Sequence, residues 1–134
     1  MRVLGIDLGR SRTGLAISDP LGVTCSPLGT VLEKDEDRLI AKIVAVAEEQ
    51  NVGAMVLGLP RPLSGGMNRQ AESVLAFASR LETETTVPVL TWDERFTSKL
   101  AKRGRPTSRG EDAVAACYML QSYLDSCTHT RGDA

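Results

Sequence analysis

The chain has 134 residues, 42% of them hydrophobic and 25% charged, which suits one soluble domain large enough to bury a core without staples. No apolar run reaches the roughly 18 residues that span a bilayer, and no basic segment followed by a hydrophobic stretch precedes the first strand, so a cytoplasmic protein without membrane contact is expected. The net charge of −1 excludes a uniformly basic polyanion binder, and a single histidine, His129, lying in a polar tail, excludes Ser/His and Cys/His catalysis.

In chain order, RVLGIDLG reads as a first strand and GLAISDP as a second, joined by the turn GRSRTG. VTCSPLGTVL is a third strand, with Pro27 tolerable at an edge or bulge. Three short strands with tight connections form an antiparallel meander. KDEDRLIAKIVAVAEEQNVG then predicts an amphipathic helix, with acids in its first turn, Leu39, Ile43, Val46 and Ala47 on one face, and Gly53 soon after its end. GAMVLGLP is a continuous apolar strand of the kind covered on both faces. GGMNRQAESVLAFASRLETE predicts a second helix burying Val74, Phe77, Ala78 and Leu81, and VPVLTWDE a last strand ending in acids. A short helical segment from Thr97 to about Gly104, the loop RGRPTSRG and the helix EDAVAACYMLQSYLDS complete the pattern.

The expected fold is therefore α/β: a mixed five-stranded sheet, three strands as an antiparallel meander and the others parallel, flanked by helices. Residues 1–126 form one domain, and 127–134 a polar, disordered tail. Three cysteines, Cys25, Cys117 and Cys127, without C-x-x-C spacing, are expected to be free and mostly buried thiols.

Carboxylates collect where such a sheet binds ligands, outside the carboxyl ends of the parallel strands. Asp7 ends the first strand, and Asp93 and Glu94 end the last. Adjacent strand residues face opposite ways, so one of that pair points at any given site. Asp112 opens the last helix on a stripe with Ala115, Ala116, Met119 and Tyr123, which turns it towards the sheet, while Ser108 and Glu111 fit a capping box. Each acid has a structural alternative. Asp7 could bond amides of its own turn, Asp93 or Glu94 could pair with Arg95 or cap the segment at Thr97, and Asp112 could complement its helix N-terminus. Clustered carboxylates repel unless a cation joins them, and all-oxygen ligation suits Mg²⁺ or Mn²⁺, the ions used in phosphodiester cleavage.

Charge is unevenly spread. Six basic residues and no acid lie between Arg95 and Arg109 (Arg95, Lys99, Lys102, Arg103, Arg105 and Arg109), leaving ten bases against 17 acids elsewhere. Such a strip is either a solvated loop or the footprint of a polyanion.

DLGRSRTGLAIS, VLGLP, WDERFTS and the terminal D-x-x-A-A…LQSYL resemble, in order and position, the YqgF/RuvX family of small nucleases, from Arg2 to about Leu124. The resemblance implies an RNase H-like fold and a metal-dependent nuclease that matures the 5′ end of small-subunit (16S) ribosomal RNA precursor. The family's likeness to RuvC-type enzymes implies, as the alternative, a Holliday junction resolvase acting on branched DNA in recombination and repair. Carried over residue by residue, Asp7, Glu94 and Asp112 match the family's acids and the expected metal ligands, with Asp93 and Arg95 in the same signature. Thr97, Ser98 and the Arg95–Arg109 strip would hold the nucleic-acid backbone, and Arg10 and Arg12 would add phosphate contacts. The chain departs from the family in reading RPLSGG after GLP, in a shorter stretch before the last helix, and in having Arg109 where a lysine is usual.

Two other classes compete. D-x-G-x-x-x-x-G after a strand is also similar to the phosphate loop of actin-like and sugar-kinase ATPases, but those enclose a nucleotide between two domains. A non-catalytic module for structured RNA could use the basic strip, but it has no use for clustered acids. A resolvase nicks two strands symmetrically and should be a dimer; no dimer helix stands out, so a monomer or weak homodimer is expected.

Overall fold

Apolar residues alternate along the strands and recur at helical spacing along the helices, and both patterns resolve onto one sheet. The computed structural model describes residues 1–96 and 109–132. Strands β1 (Val3–Asp7), β2 (Arg12–Ser18), β3 (Cys25–Leu32), β4 (Ala54–Leu59) and β5 (Val89–Asp93) lie in the order β3-β2-β1-β4-β5. The first three pair antiparallel, while β4 runs parallel to β1 and β5 parallel to β4. Helices α1 (Glu36–Glu49) and α2 (Arg69–Glu84) connect the parallel strands, and α3 (Arg109–Gly132) closes the chain. The expected mixed sheet is thus found.

Each helix starts as its sequence dictates. Asp35 caps α1 by accepting from the Arg38 amide at 2.9 Å, and Asn68 caps α2 by accepting from the Ala71 amide at 2.7 Å. The expected faces are buried, with Ile40 added on α1 and Ala71 on α2, while Val46 is only partly covered. The left-handed residue beyond α1 is Asn51 (φ 55°), two positions before Gly53.

Two apolar layers result. Leu4, Ile6, Leu15, Ile17, Met55, Leu57 and Leu59 meet α1 and α2 on one face. Val3, Ala16 and Val56 meet Ala116, Met119, Leu120 and Leu124 of α3 on the other. All six residues of β4 are buried, as a strand covered on both faces requires. Pro27 lies on edge strand β3 and also beside a bulge. Leu15 pairs with Gly29 and Ala16 with Pro27, so Leu28 is the extra residue.

Three expectations need correction. Strand β2 begins at Arg12, inside the stretch read as a turn, because Arg12 and Thr13 continue the ladder against Leu32 and Val31. The region from 127 onward, expected to be a disordered tail, is helical as far as Gly132, since CTHTR contains no breaker before that glycine. The three cysteines are free but only half-buried, since Cys25 and Cys117 sit at the rim of the α3 layer and not within it. The expected helix from Thr97 to about Gly104 and the loop after it lie outside the described residues. Among the described residues, no helix is long and apolar enough to cross a membrane.

Candidate active site

Parallel strands β1, β4 and β5 all end at one edge of the sheet, and Asp7, Leu59 and Asp93 are their last residues. Strand alternation decides which way Asp7 points. Val3 and Gly5 face α3, with a Cβ on Gly5 falling 2.8 Å from Leu120 Cβ, so Asp7 is on that face too.

Both positions beside Asp7 in the sheet are glycine. Gly14 pairs directly with Asp7, and Gly58 follows Leu57, the partner of Ile6. A Cβ on Gly14 would fall 1.9 Å from the backbone oxygen of Asp112, so the start of α3 lies against bare main chain. A Cβ on Gly58 would fall 2.9 Å from Glu94 Oε2, so the Glu94 side chain lies across the end of β4. The main chain of Asp112 therefore lies over β2 beside the partner of Asp7, and the Glu94 side chain lies over β4. Gly9 has a different reason: a Cβ there would strike the Arg12 carbonyl at 2.2 Å, which makes the turn after β1 tight.

Trp92 holds these parts in register. It pairs with Gly58, donates through its indole N–H to Ser122 Oγ at 3.1 Å, and meets Tyr123 edge-on at 5.8 Å between ring centroids. The strand that leads into Glu94 is thereby fixed to the helix that carries Asp112.

Asp93 and Glu94 take different directions. Asp93 pairs with Leu59 and turns away from the α3 face. Arg95 grips it through Nε and Nη2, at 2.9 and 2.6 Å to Oδ2, while Arg61 Nη1 stands 3.6 Å from the same oxygen. The Arg95 side chain, its amide and the Arg61 charge hold the Asp93 carboxyl below the usual aspartate range, against the opposing effect of burial. Glu94 begins a single 3₁₀ turn, Glu94–Phe96, which carries its side chain back over Gly58.

Asp112 is not turned solely towards Asp7. Arg12 Nε donates to its Oδ2 at 2.9 Å, and both side chains are partly buried. The fully buried stripe of α3 is Ala113, Ala116, Met119, Leu120 and Leu124, so Asp112 stands at its margin. Among the described residues, no three acidic, histidine or cysteine side chains lie close enough to chelate one ion. The cations joined to Asp112 and Asp93 here are arginines: Arg95 on Asp93 is one of the expected structural alternatives, whereas Arg12 on Asp112 is not.

Of the expected backbone-binding residues, Arg10 is exposed, Arg12 is paired with Asp112 and Arg95 with Asp93. Arg109 opens α3. Thr97, Ser98, Lys99, Lys102, Arg103 and Arg105 lie outside the described residues, as does Ser108 of the expected capping box. Arg61 was missed by the sequence reading; its signal is a basic residue two positions after a buried parallel strand ends. A cavity of about 460 Å³ lined by Ala47, Asn51 and Thr83–Val87 sits at the opposite, amino-terminal edge of β4 and β5, away from the acids.

A family model described as "RuvX: Holliday junction resolvase" matches residues 1–126. A protein of Clostridium kluyveri named "Putative pre-16S rRNA nuclease" is 38% identical over 133 residues, covering 93% of this chain and 97% of the relative. A Koribacter versatilis protein of the same name is 41% identical over 132 residues, covering 92% and 86%. The fold resembles Thermus thermophilus RuvC in complex with a Holliday junction substrate, with a TM-score of 0.62 at 18% identity over 96% of this chain and 97% of that one. It also resembles the Fowlpox virus resolvase bound to Holliday junction DNA, with a TM-score of 0.59 at 11% identity over 95% and 99%.

Proposed function

The chain belongs to the RuvX family of nucleases, hydrolases of phosphodiester bonds with an RNase H-like fold, and from that premise we propose that it is a divalent-metal-dependent enzyme trimming the 5′ end of pre-16S rRNA. The observation that carries this reading is the pair of glycines flanking Asp7, against which the main chain of Asp112 and the side chain of Glu94 pack.

Asp7, Glu94 and Asp112 are the proposed ligands. Their all-carboxylate donor set suits a hard ion such as Mg²⁺ or Mn²⁺, and the absence of Cβ atoms at Gly14 and Gly58 lets the main chain of Asp112 and the Glu94 carboxylate pack close to the strands beside Asp7. Such an ion, when bound, activates water and neutralises the leaving oxygen. The side chains do the rest. With an ion held there, the Arg12 guanidinium now paired with Asp112 would be available to a phosphate oxygen. Arg61 and Arg95 together carry two positive charges against the one of Asp93, and the surplus faces a neighbouring phosphate. Asp93 is then a positioning residue that orients Arg95. Exposed Arg10 and the strip from Arg95 to Arg109, with Thr97 and Ser98, extend the track along the backbone.

The preferred substrate is structured RNA, acted on in the cytoplasm by a monomer or weak homodimer. The name of the relatives supports this substrate. A four-way DNA junction is the second reading, supported by the description of the family model. Side-by-side cleavage of pre-16S 5′ ends, single strands and four-way junctions tests the choice. The RNA reading expects trimming of the precursor in preference to the junction; symmetric nicking of junctions with intact precursor overturns it.

A further inference from the structure

Cys25 opens edge strand β3, opposite Ser18, and Cys117 lies on α3, 92 positions later in the chain. Their Sγ atoms stand 3.1 Å apart, and Cys25 Sγ also donates to the Cys117 carbonyl at 3.1 Å. Both are half-buried and pack against the apolar layer between the sheet and α3. A disulfide holds its sulfurs about 2.05 Å apart, so roughly 1 Å of approach separates this contact from a bond. The site is distinct from the acids, at the other end of β2 from Gly14.

We propose that Cys25 and Cys117 form an intramolecular disulfide in response to a peroxide, fastening α3 to the edge of the sheet. A hydroperoxide oxidises one thiol to a sulfenic acid, its O–O bond breaking and the departing oxygen leaving as an alcohol (or water) with the thiol proton. The second sulfur attacks the sulfenic sulfur, the S–S bond forms, the S–O bond breaks and water departs with the thiol proton. Two thiols thus give two electrons to one peroxide. Burial and the neighbouring Cys117 push the Cys25 thiol well above its ordinary range, which slows its own reaction with oxidant. A bond closing so long a loop also restrains the unfolded chain strongly.

The test treats the full-length protein with hydrogen peroxide, denatures it, labels the remaining thiols and maps the peptides without reduction. Labelled thiols should fall from three to one, with the Cys25 peptide joined to the Cys117 peptide within a single chain. Dithiothreitol should reverse this, and oxidation should raise the melting temperature on the order of 5–10 °C. Cys127→Ser should behave like the wild type, and Cys117→Ser should lose both effects. Survival of all three thiols, a bond between two chains, or a bond that includes Cys127 overturns the proposal. The peptide map on the wild type decides the matter even where a variant fails to fold.

Discussion

Two glycines set the geometry of the acids, and they differ in what an added methyl meets. At Gly14 it meets backbone, the Asp112 carbonyl, which cannot give way without moving the start of α3. Gly14→Ala should therefore cost about 1–3 kcal/mol in stability, read by chemical denaturation. At Gly58 it meets the far end of the Glu94 side chain, which can swing aside. Gly58→Ala should change stability by less than about 1 kcal/mol yet slow cleavage about 100-fold, since a displaced catalytic group costs that much. Asp93 gives a pH signature. Its depressed pKa contributes stability that is fully present above the ordinary aspartate value of about 4 and is lost as pH falls through the native value. Urea midpoints of wild type and Asp93→Asn should differ at neutral pH and converge in strong acid. At this scale the sequence shows Asp7 at a strand end and Asp112 at the start of a helix, because strands and helices are periodic, while the Arg12 bond that holds Asp112 at the margin of the stripe has no such period. Period two could say only that Asp93 and Glu94 diverge. Which one turns over Gly58 depends on the 3₁₀ turn at Glu94–Phe96, a tertiary outcome with no local signature. Arg12 escaped notice as the partner of Asp112 for a similar reason, since the two are 100 positions apart.

Among the elements, the order of strands and helices was legible because each carries its own period and punctuation. Asn68 shows how local that information is: its side chain caps α2 regardless of the rest of the fold. Asn68→Ala should cost about 1 kcal/mol, measured by thermal or urea unfolding. Element ends were less legible. Strand β2 gains Arg12 and Thr13 from pairing with β3, and α3 runs on to Gly132 because nothing in the tail stops it. Contacts between elements were not legible at all. Trp92 joins β5 to α3 through Ser122 and Tyr123, and nothing near Trp92 in sequence announces them. Trp92→Ala should cost about 2–4 kcal/mol and loosen the spacing between Glu94 and Asp112.

For the whole molecule, a mixed sheet with helices on both faces presents one edge, rimmed by Asp7, Glu94 and Asp112, where the parallel strands end. A chain of net charge −1 that carries six bases and no acid between Arg95 and Arg109 should bind a polyanion on one side only. Affinity for nucleic acid should fall about 10³-fold between 50 and 200 mM salt if all six charges engage phosphates. Asp7 is the proposed anchor of a metal-dependent phosphodiesterase, and that role is open to direct measurement. It is tested most directly by cleavage of a pre-16S 5′ end and a four-way junction by wild type and Asp7→Asn, each with Mg²⁺ or Mn²⁺ and with chelator. The wild type should cleave and chelator should abolish that cleavage, while Asp7→Asn should be slower by about 10³-fold at unchanged stability. Cleavage that survives chelation, or an Asp7→Asn enzyme as fast as the wild type, would contradict that role.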